Sequence, residues 1–454
     1  MEKKLTFGQK PLPKKKLYVK CLKKLRSQLS EKQIVFNSEK SGWKSRSRKL
    51  DLYDFLNLFI SRRPNNHLSL NDMRQELMGN QLLSKEGINK RINCKAVVMF
   101  KSILEDIIKL NFSPVLNQFK SNFFSSIILT DSTSFQLPSR LDDAYKGFGG
   151  NHGVRGGVKV QYQISLTDGS MKMETTSAVS SDQKTGIIQP KKGELHLFDL
   201  GYFSFTRFTE FEEKKAFYLC RLKVNTLLWI KKDGEFQQLT WKQISKMHKG
   251  HKVLELEVYL GKNKEVKTRI FIEKISNKSS AEKRRKVNRY AQRHGRKPTE
   301  KHLTTCDFSI HISNIPTHIL SKENAREIYS LRWQIEIQFK TWKSFMNIDK
   351  IFHVNQYRFE CHHYGTLIYI MLCGKIFYAC KQMFWNETDV ELSELKAMKF
   401  LARNKELIHD LLFGTKEISE LASKKIDAVF RNTCIKEFKK HHKTPMNIMK
   451  SCLS

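Results

Sequence analysis

Two aspartates and one glutamate sit where side chains from distant parts of the chain can converge. Ile127-Ile128-Leu129-Thr130-Asp131 and Glu194-Leu195-His196-Leu197-Phe198-Asp199 are short apolar runs that each end in an acid. That is the pattern of a buried strand delivering a carboxylate to one end of a sheet. Glu336 lies in Tyr329-Ser-Leu-Arg332-Trp-Gln-Ile-Glu336-Ile-Gln-Phe-Lys340-Thr-Trp-Lys343. Read as one helix at about 100° per residue, this stretch gathers Tyr329, Arg332, Glu336, Lys340 and Lys343 into a wedge of roughly 80°. Ile328, Leu331, Ile335, Phe339 and Trp342 then form an adjacent apolar flank. Taken alone, such a helix reads as a solvated, ion-paired face. Taken with Asp131 and Asp199, Glu336 reads as the third member of an acid cluster. Packed carboxylates raise one another's pKa unless a cation lies among them, and their hard oxygens suit Mg²⁺ or Mn²⁺. Two such ions about 3.5–4 Å apart stabilise the attacking and leaving oxygens of a phosphodiester.

The elements that must hold these residues follow from the apolar patterning. Texture turns from helical to β at Ser126. Strands are expected at 127–131, 158–166, 171–179, 194–199 and 216–224, with a turn at Thr167-Asp168-Gly169, a helical crossing at 182–189 and a helix at 206–215. Gly147 to Gly157 is glycine-rich but lacks the Lys-Ser/Thr ending of a phosphate-binding P-loop. The segment 226–316 carries strand-like runs at 253–259 and 266–275, a basic helical stretch at 281–298, and a returning strand at 308–316. Ser321 and Asn324 are candidate caps leading into the Glu336 helix. Helices are also expected at 52–60, 73–108, 363–383 and 391–413, whereas the first fifty residues show few sustained apolar periods and the tail from Lys436 reads as loose. Ser84 to Val98 has the look of two short helices with Lys90, Arg91 and Lys95 outward, either a helix-turn-helix or part of a plain bundle.

Charge narrows the partner. Lys and Arg total 82 against 45 Asp and Glu, a net charge of +37 over 454 residues, and the cations run along the whole length. Such a chain calls for a polyanion, nucleic acid before anionic membrane. Nine cysteines are scattered without C-x2-C spacing, so they read as reduced, intracellular thiols, and Cys361-His362-His363 lacks a second ligand pair for zinc. Met1 to Phe7 has no apolar signal region, and the most apolar window, Leu367 to Ala379, is short for a bilayer span and fits a buried helix better.

Tyr329, Arg332, Glu336 and Lys343 match the Y-x2-R-x3-E-x6-K signature, so the chain resembles the IS4 family of bacterial insertion-sequence transposases. Ile128-Leu-Thr-Asp131-Ser-Thr looks like that family's first acidic block and Phe198-Asp199-Leu-Gly-Tyr-Phe like its second, while Ile310 to Pro316 resembles the strand before the third. The resemblance spans roughly residues 127–343 and implies an α/β fold with an RNase H-like catalytic core and a β-rich insertion, flanked by helical ends. The implied plan is a basic DNA-binding region over 1–120, the first part of the core over 121–225 and the insertion over 226–316. The Glu-bearing helix follows over 317–350, then a helical region over 351–454 that could dimerise.

It further implies that Asp131, Asp199 and Glu336 bind two Mg²⁺ ions, with Mn²⁺ substituting. Water then cuts one strand at the element end, and the freed 3′-OH attacks the other strand and later the target, often through a DNA hairpin. Tyr329, Arg332 and Lys343, with Lys340 beside them, would hold phosphates of the end DNA. The partners would be the terminal inverted repeats and target DNA, bound by a homodimer in a synaptic complex in the bacterial cytoplasm at the nucleoid. The family also stacks an aromatic residue of the insertion on a flipped base. Trp229 and Trp241 are the tryptophans there, either of which could instead be core. His152 and His196 read as structural rather than as bases. The rivals are another RNase H-like nuclease, or a decayed or domesticated transposase that only binds DNA.

Overall fold

The structure, a computed structural model, describes residues 16–43, 50–60, 69–77, 83–110, 121–148, 156–351, 355–437 and 443–452. Along the chain come helices α1 (Lys16–Gln28), α2 (Glu31–Ser41), α3 (Leu52–Ile60), α4 (Leu70–Glu76), α5 (Lys85–Asn89) and α6 (Cys94–Lys109). Strands β1 (Ser126–Gln136), β2 (Gly157–Ser165), β3 (Met171–Ser177) and β4 (Glu194–Phe198) follow, then α7 (Phe205–Glu213) and β5 (Phe217–Arg221). Next are β6 (Leu228–Lys232), β7 (Glu235–Leu239), α8 (Trp241–Met247), β8 (Val253–Leu260), β9 (Val266–Lys274), α9 (Asn277–Arg293), α10 (Glu300–Thr305) and β10 (Phe308–Ser313). The chain closes with α11 (Ala325–Ser330), α12 (Trp333–Ser344), α13 (Gln356–Thr388), α14 (Glu394–Arg403), α15 (Lys405–Phe413), α16 (Lys416–Thr433) and α17 (Pro445–Cys452).

Two compact units result: Met1–Gln118 with Lys340–Glu437, and Phe119–Phe339 with Phe438–Ser454. The first is helical. The sequence reading separates an N-terminal from a C-terminal helical region, whereas here they share a unit, with α6 and α3 packed on α13. The second of the two short helices expected at 84–98 is the start of α6, which buries Val97, Met99, Phe100, Ile103, Leu104 and Ile107 as bundle core. The first fifty residues, with few sustained apolar periods, still carry α1 and α2, and local caps set the limits of α2. Ser30 accepts from the Gln33 N–H, and Gly42 closes α2 at a φ of 69°, the left-handed conformation that glycine adopts freely. Helix α13 is 33 residues long and passes, by length and composition alone, for a membrane span. Its most apolar window is nonetheless 89% buried inside the protein, as a core helix would be. Lys375, which interrupts that window, is buried and donates to the carbonyls of Ile108 and Leu110 at the end of α6, where the helix dipole favours a cation. The expected helix at 391–413 is two helices meeting at Asn404.

The second unit is built on a ten-stranded sheet of order β3-β2-β1-β4-β5-β10-β9-β8-β6-β7. Strands β1, β2 and β3 form an antiparallel meander, and β4 and β5 add parallel to β1. That arrangement is the RNase H-like core expected from the sequence. The insertion is continuous with the core sheet: β10 pairs antiparallel with β5 and β9, and β8, β6 and β7 follow in the same sheet. A β5 edge that would present unpaired N–H and C=O groups is thereby covered. Phe198, Cys220 and Ile312 point from adjacent strands into a core that includes Phe208 and Phe211 of α7.

Three further expectations change. The crossing at 182–189 is only a 3-10 turn, Asp182–Lys184; Gly186 and the residue restriction imposed by Pro190 disfavour a helix there. The tail ends in α17, which packs on α11 and pairs Lys443 with Glu327 at 3.0 Å. The stretch 329–343 is not one helix: it divides between α11 and α12 at Leu331 and Arg332, where successive N–H groups bond three residues back instead of four. Gly157, at the mouth of β2, leaves no room for a side chain, since a Cβ there would lie 2.8 Å from that of Ala178 and 3.0 Å from the Gly147 Cα. Gly157→Ala is expected to cost about 1–3 kcal/mol, read as a lower midpoint in chemical denaturation with an unchanged slope; an unchanged midpoint would show that β2 and its neighbours can separate at no cost.

Candidate active site

The β ladder brings the two aspartates together. Pairing of β1 with β4 runs from Ser126↔Glu194 to Thr130↔Phe198 and stops. Asp131 and Asp199 are the next residues on each strand. Asp131 does not end its strand, as the sequence suggests; β1 runs on to Gln136, paired only with β2. The acid therefore sits where β1 outruns β4. Asp199 lies just past β4 and opens a 3-10 turn, Leu200–Tyr202. Because side chains alternate faces along a strand, the row bearing Phe198 points at α7 and the next row points at the other face. On that other face Tyr162, opposite Asp131 on β2, meets Phe339 of α12, ring centroids 6.3 Å apart.

Helices α11 and α12 supply the remaining groups. Arg332, in the turn between them, is 3% exposed. Its Nη1 donates to Asp131 Oδ2 at 3.0 Å and its Nη2 to Glu336 Oε1. Tyr329, also buried, donates its hydroxyl to the Phe198 carbonyl at 3.3 Å and to Asp199 Oδ1 at 3.4 Å. The Ser132 N–H donates to Asp131 Oδ1 at 2.8 Å. Burial pushes the Asp131 carboxyl up to about 6; Arg332 and the Ser132 N–H oppose this, and the charges of Asp199 and Glu336 add to it. Burial works against the charge on Arg332, yet Tyr329, Glu336 and both aspartates hold its pKa above the usual value. Burial and the Asp199 charge raise Tyr329, so its hydroxyl keeps the proton it donates.

The sequence reading casts Tyr329 and Arg332 as phosphate clamps rather than ion-pair partners. In the structure Arg332 is the ion-pair partner of two of the acids, and Tyr329 steadies the third. The Arg332–Glu336 pair is the i,i+4 contact that the helical wheel allows, whereas the pair with Asp131 comes from a distant strand. Lys340 and Lys343 follow Glu336 along α12, Lys340 exposed and Lys343 half-buried. Trp241 is core. Trp229 is half-buried, its indole N–H held by the Gly261 carbonyl at 2.8 Å and its ring covered by Lys264. The indole that stands open is Trp333, 58% exposed, at the start of α12. His196 is buried against Glu194 at 3.0 Å with its pKa lowered by burial, as a structural histidine should be. His152 lies outside the described residues.

A group that sequence reasoning did not find is Asp182. Its Oδ1 accepts from Lys159 Nζ at 3.1 Å, from Gln161 Nε2 at 2.5 Å and from Ser132 Oγ at 3.3 Å. Tyr202 donates to Gln161, and Arg207 donates to the Gln183 carbonyl at 2.9 Å. The network ties the turn carrying Asp199 to the strands flanking Asp131. Its only signal in the sequence was polar residues inside an apolar strand, Lys159, Gln161 and Gln163 of β2, all buried.

The donor set fits a hard divalent cation in kind. Three carboxylates act on one another and face one guanidinium, whose buried Nε finds no hydrogen-bond partner. Among the described residues no three His, Cys, Asp or Glu side chains are already gathered around one point; Arg332 holds Asp131 and Glu336 instead.

Residues 122–372 match the family described as Transposase DDE domain. The transposase for insertion sequence element IS231B of Bacillus thuringiensis subsp. berliner is 29% identical over 419 residues, covering 87% of each chain. That for IS231E of Bacillus thuringiensis subsp. finitimus is 30% identical over 361 residues, 75% of each chain. That for IS1151 of Clostridium perfringens is 28% identical over 401 residues, 83% of this chain and 84% of the relative.

The raised pKa of Asp131 has a consequence for stability. A carboxyl that binds its proton more tightly folded than unfolded loses stability as pH rises from about 4 to about 6 and stays penalised above. Asp131→Asn should therefore stabilise the protein in EDTA at pH 7.5, by up to about 3 kcal/mol, and confer nothing at pH 4. Urea melts at the two pH values check this; an equal effect at both would mean that the carboxylate charge is not what the fold resists.

Proposed function

The chain belongs to the family of transposases with a DDE domain, and from that premise we propose that Asp131, Asp199 and Glu336 are its catalytic acids. The protein is a DNA transposase, an enzyme of phosphodiester cleavage and strand transfer. One observation carries the assignment of residues: Arg332 joins Asp131 to Glu336 across more than two hundred residues of chain, while Tyr329 holds Asp199.

The three acids would hold divalent metal, Mg²⁺ with Mn²⁺ able to replace it, as two ions per site. Bound there, the metal would supply Lewis-acid stabilisation of the attacking and leaving oxygens. The chain's own groups orient the acids. Arg332 fixes one oxygen each of Asp131 and Glu336, the Ser132 N–H fixes the other oxygen of Asp131, and Tyr329 fixes Asp199. Lys340 and Lys343 contact phosphates of the end DNA. Trp333, rather than Trp229 or Trp241, offers an open ring for stacking on a base. The substrate is the pair of terminal inverted repeats of its own element and then a target duplex, handled by a homodimer in the cytoplasm at the nucleoid. The net charge of +37 supports so extended a DNA contact.

Asp131→Ala, Asp199→Ala and Glu336→Gln should each abolish cleavage of labelled end DNA, by at least a thousandfold, while end-DNA binding in a gel shift stays within a few-fold of wild type. Near wild-type cutting by any one of them would sink the triad. Incubation of labelled ends with a plasmid target should give joined products, which a nuclease without strand transfer does not make.

A further inference from the structure

The transverse row of the sheet that carries the two aspartates does not end with them. Pairing of β4 with β5 stops at Phe198↔Cys220, so Arg221 stands beside Asp199 as Asp199 stands beside Asp131. Arg221 in turn pairs with His311 of β10. The row therefore reads acid, acid, arginine, histidine across four adjacent strands, all on one face, at about 4.8 Å per step.

Two more cations approach this end of the row from other elements. Lys283 of α9 is half-buried and donates to the Phe308 carbonyl at 2.7 Å, three residues before His311 on β10. Arg326 of α11 is exposed, pairs with Glu273 at 3.0 Å and precedes Tyr329 by one turn. The Arg221 guanidinium lies 6.0 Å from the centre of the Tyr329 ring, which lies 4.6 Å from that of His311. That all three cations face one place is visible in His311, pushed down to about 3 by burial and then by Arg221, Arg326 and Lys283. Lys283 is itself lowered by burial and by Arg221 and Arg326. Arg221 and Lys283 have no carboxylate partner among the described residues. Three cations act on one another here, one of them half-buried, while Glu273 is paired with Arg326, Asp307 with Arg284, and Asp199 is the next group in the row; Arg221 and Lys283 are left to meet an incoming anion. A buried neutral imidazole beneath them adds no negative charge.

We propose that Arg221, Lys283 and Arg326 form a phosphate subsite that grips the backbone of the end DNA beside the reacting phosphodiester, on the Asp199 side of the acids. The proposal rests on the assignment of Asp131, Asp199 and Glu336 as the catalytic acids. A diester oxygen pair matches a guanidinium fork, and a second and third cation suit a strand that runs past the site. Side by side with the acids, the subsite fixes which phosphate of the strand lies over them, so it sets the register of the cut as well as affinity.

The test uses the full chain and a duplex carrying the element's terminal repeat, with binding measured in EDTA so that it does not depend on cutting. Arg221→Gln and Lys283→Gln should each weaken binding about tenfold and lower the slope of log affinity against log salt by about one. The triple variant with Arg326→Gln should lower the slope by about three. Arg221→Lys should restore the slope but leave cut sites spread over neighbouring phosphates. Duplexes with one methylphosphonate each then locate the contact. Wild type should lose affinity at one or two phosphates next to the cut, and the triple variant should be indifferent at those positions. Should the triple variant keep the wild-type methylphosphonate profile, the subsite is wrong even if the acid variants behave as expected. Wild type with no salt-dependent affinity for the repeat would overturn the subsite and the catalytic reading together. Lys283→Gln, on a helix almost wholly in solvent, keeps the test open should the Arg221 variants fold poorly.

Discussion

The ion pairs of Arg332 with Asp131 and Glu336 are the constraint on which the catalytic unit depends. Burying a guanidinium at 3% exposure is costly unless charge and hydrogen bonds are returned to it. Two carboxylates, with the Tyr329 ring 5.8 Å away, return most of that. The partners come from β1 and from α12, so the pair fastens the last segment of the unit onto its first strand. A planar fork can meet two acids at once, as the ammonium of lysine cannot. The backbone tightens between α11 and α12 at Leu331 and Arg332, and from that turn Arg332 reaches both Asp131 and Glu336.

Around that tie, strand alternation does the sorting. Phe198, Cys220 and Ile312 give one face to α7, and the next row gives Asp131, Asp199, Arg221 and His311 to the other. A slip of one residue would exchange the two rows, putting carboxylates into an aromatic core. The register is thus enforced by hydrophobic burial, and the direct bonds from Arg332, Tyr329 and the Ser132 N–H then orient the acids it has placed. The insertion belongs to the same logic. By returning β10 along β5 it both seals a sheet edge and sets His311 and the α9 cations at the end of the catalytic row.

What the sequence made legible was whatever had a local signature. Asp131 follows an apolar β-branched run and Asp199 a shorter apolar run, and both runs are strands in the fold, while Glu336 stood in a spaced signature. What it hid was set by tertiary partners. Ser132 to Gln136 continue β1 because β2 is there to pair with them, not because their own pattern is strand-like. Lys159 and Gln161 lie in an expected strand with nothing local to show what would satisfy them once buried; Asp182 does so from a turn more than twenty residues on. Arg221 fell inside the expected strand 216–224 with nothing to mark it, and Lys283 is one cation among many on a basic helix. The ion pair of Arg332 with Asp131 was hidden as well, because the two residues lie 201 positions apart and only the fold brings them together.

The acid cluster also shows why such a site resists being made stable. Arg332 is the counter-charge that Asp131 and Glu336 share. The elevated pKa of Asp131 means that this counter-charge is insufficient, with burial and the other two acids outweighing the guanidinium and the Ser132 N–H. Were neutralisation complete, the acids would have little to gain from a divalent ion; were Arg332 absent, the unit would have to close on three unbalanced charges. An intermediate balance holds Asp131 and Glu336 near one another on one guanidinium. Stability and catalytic readiness are then opposed at the same residue, and the arginine that holds the unit together is also what fixes how much unmet charge it retains.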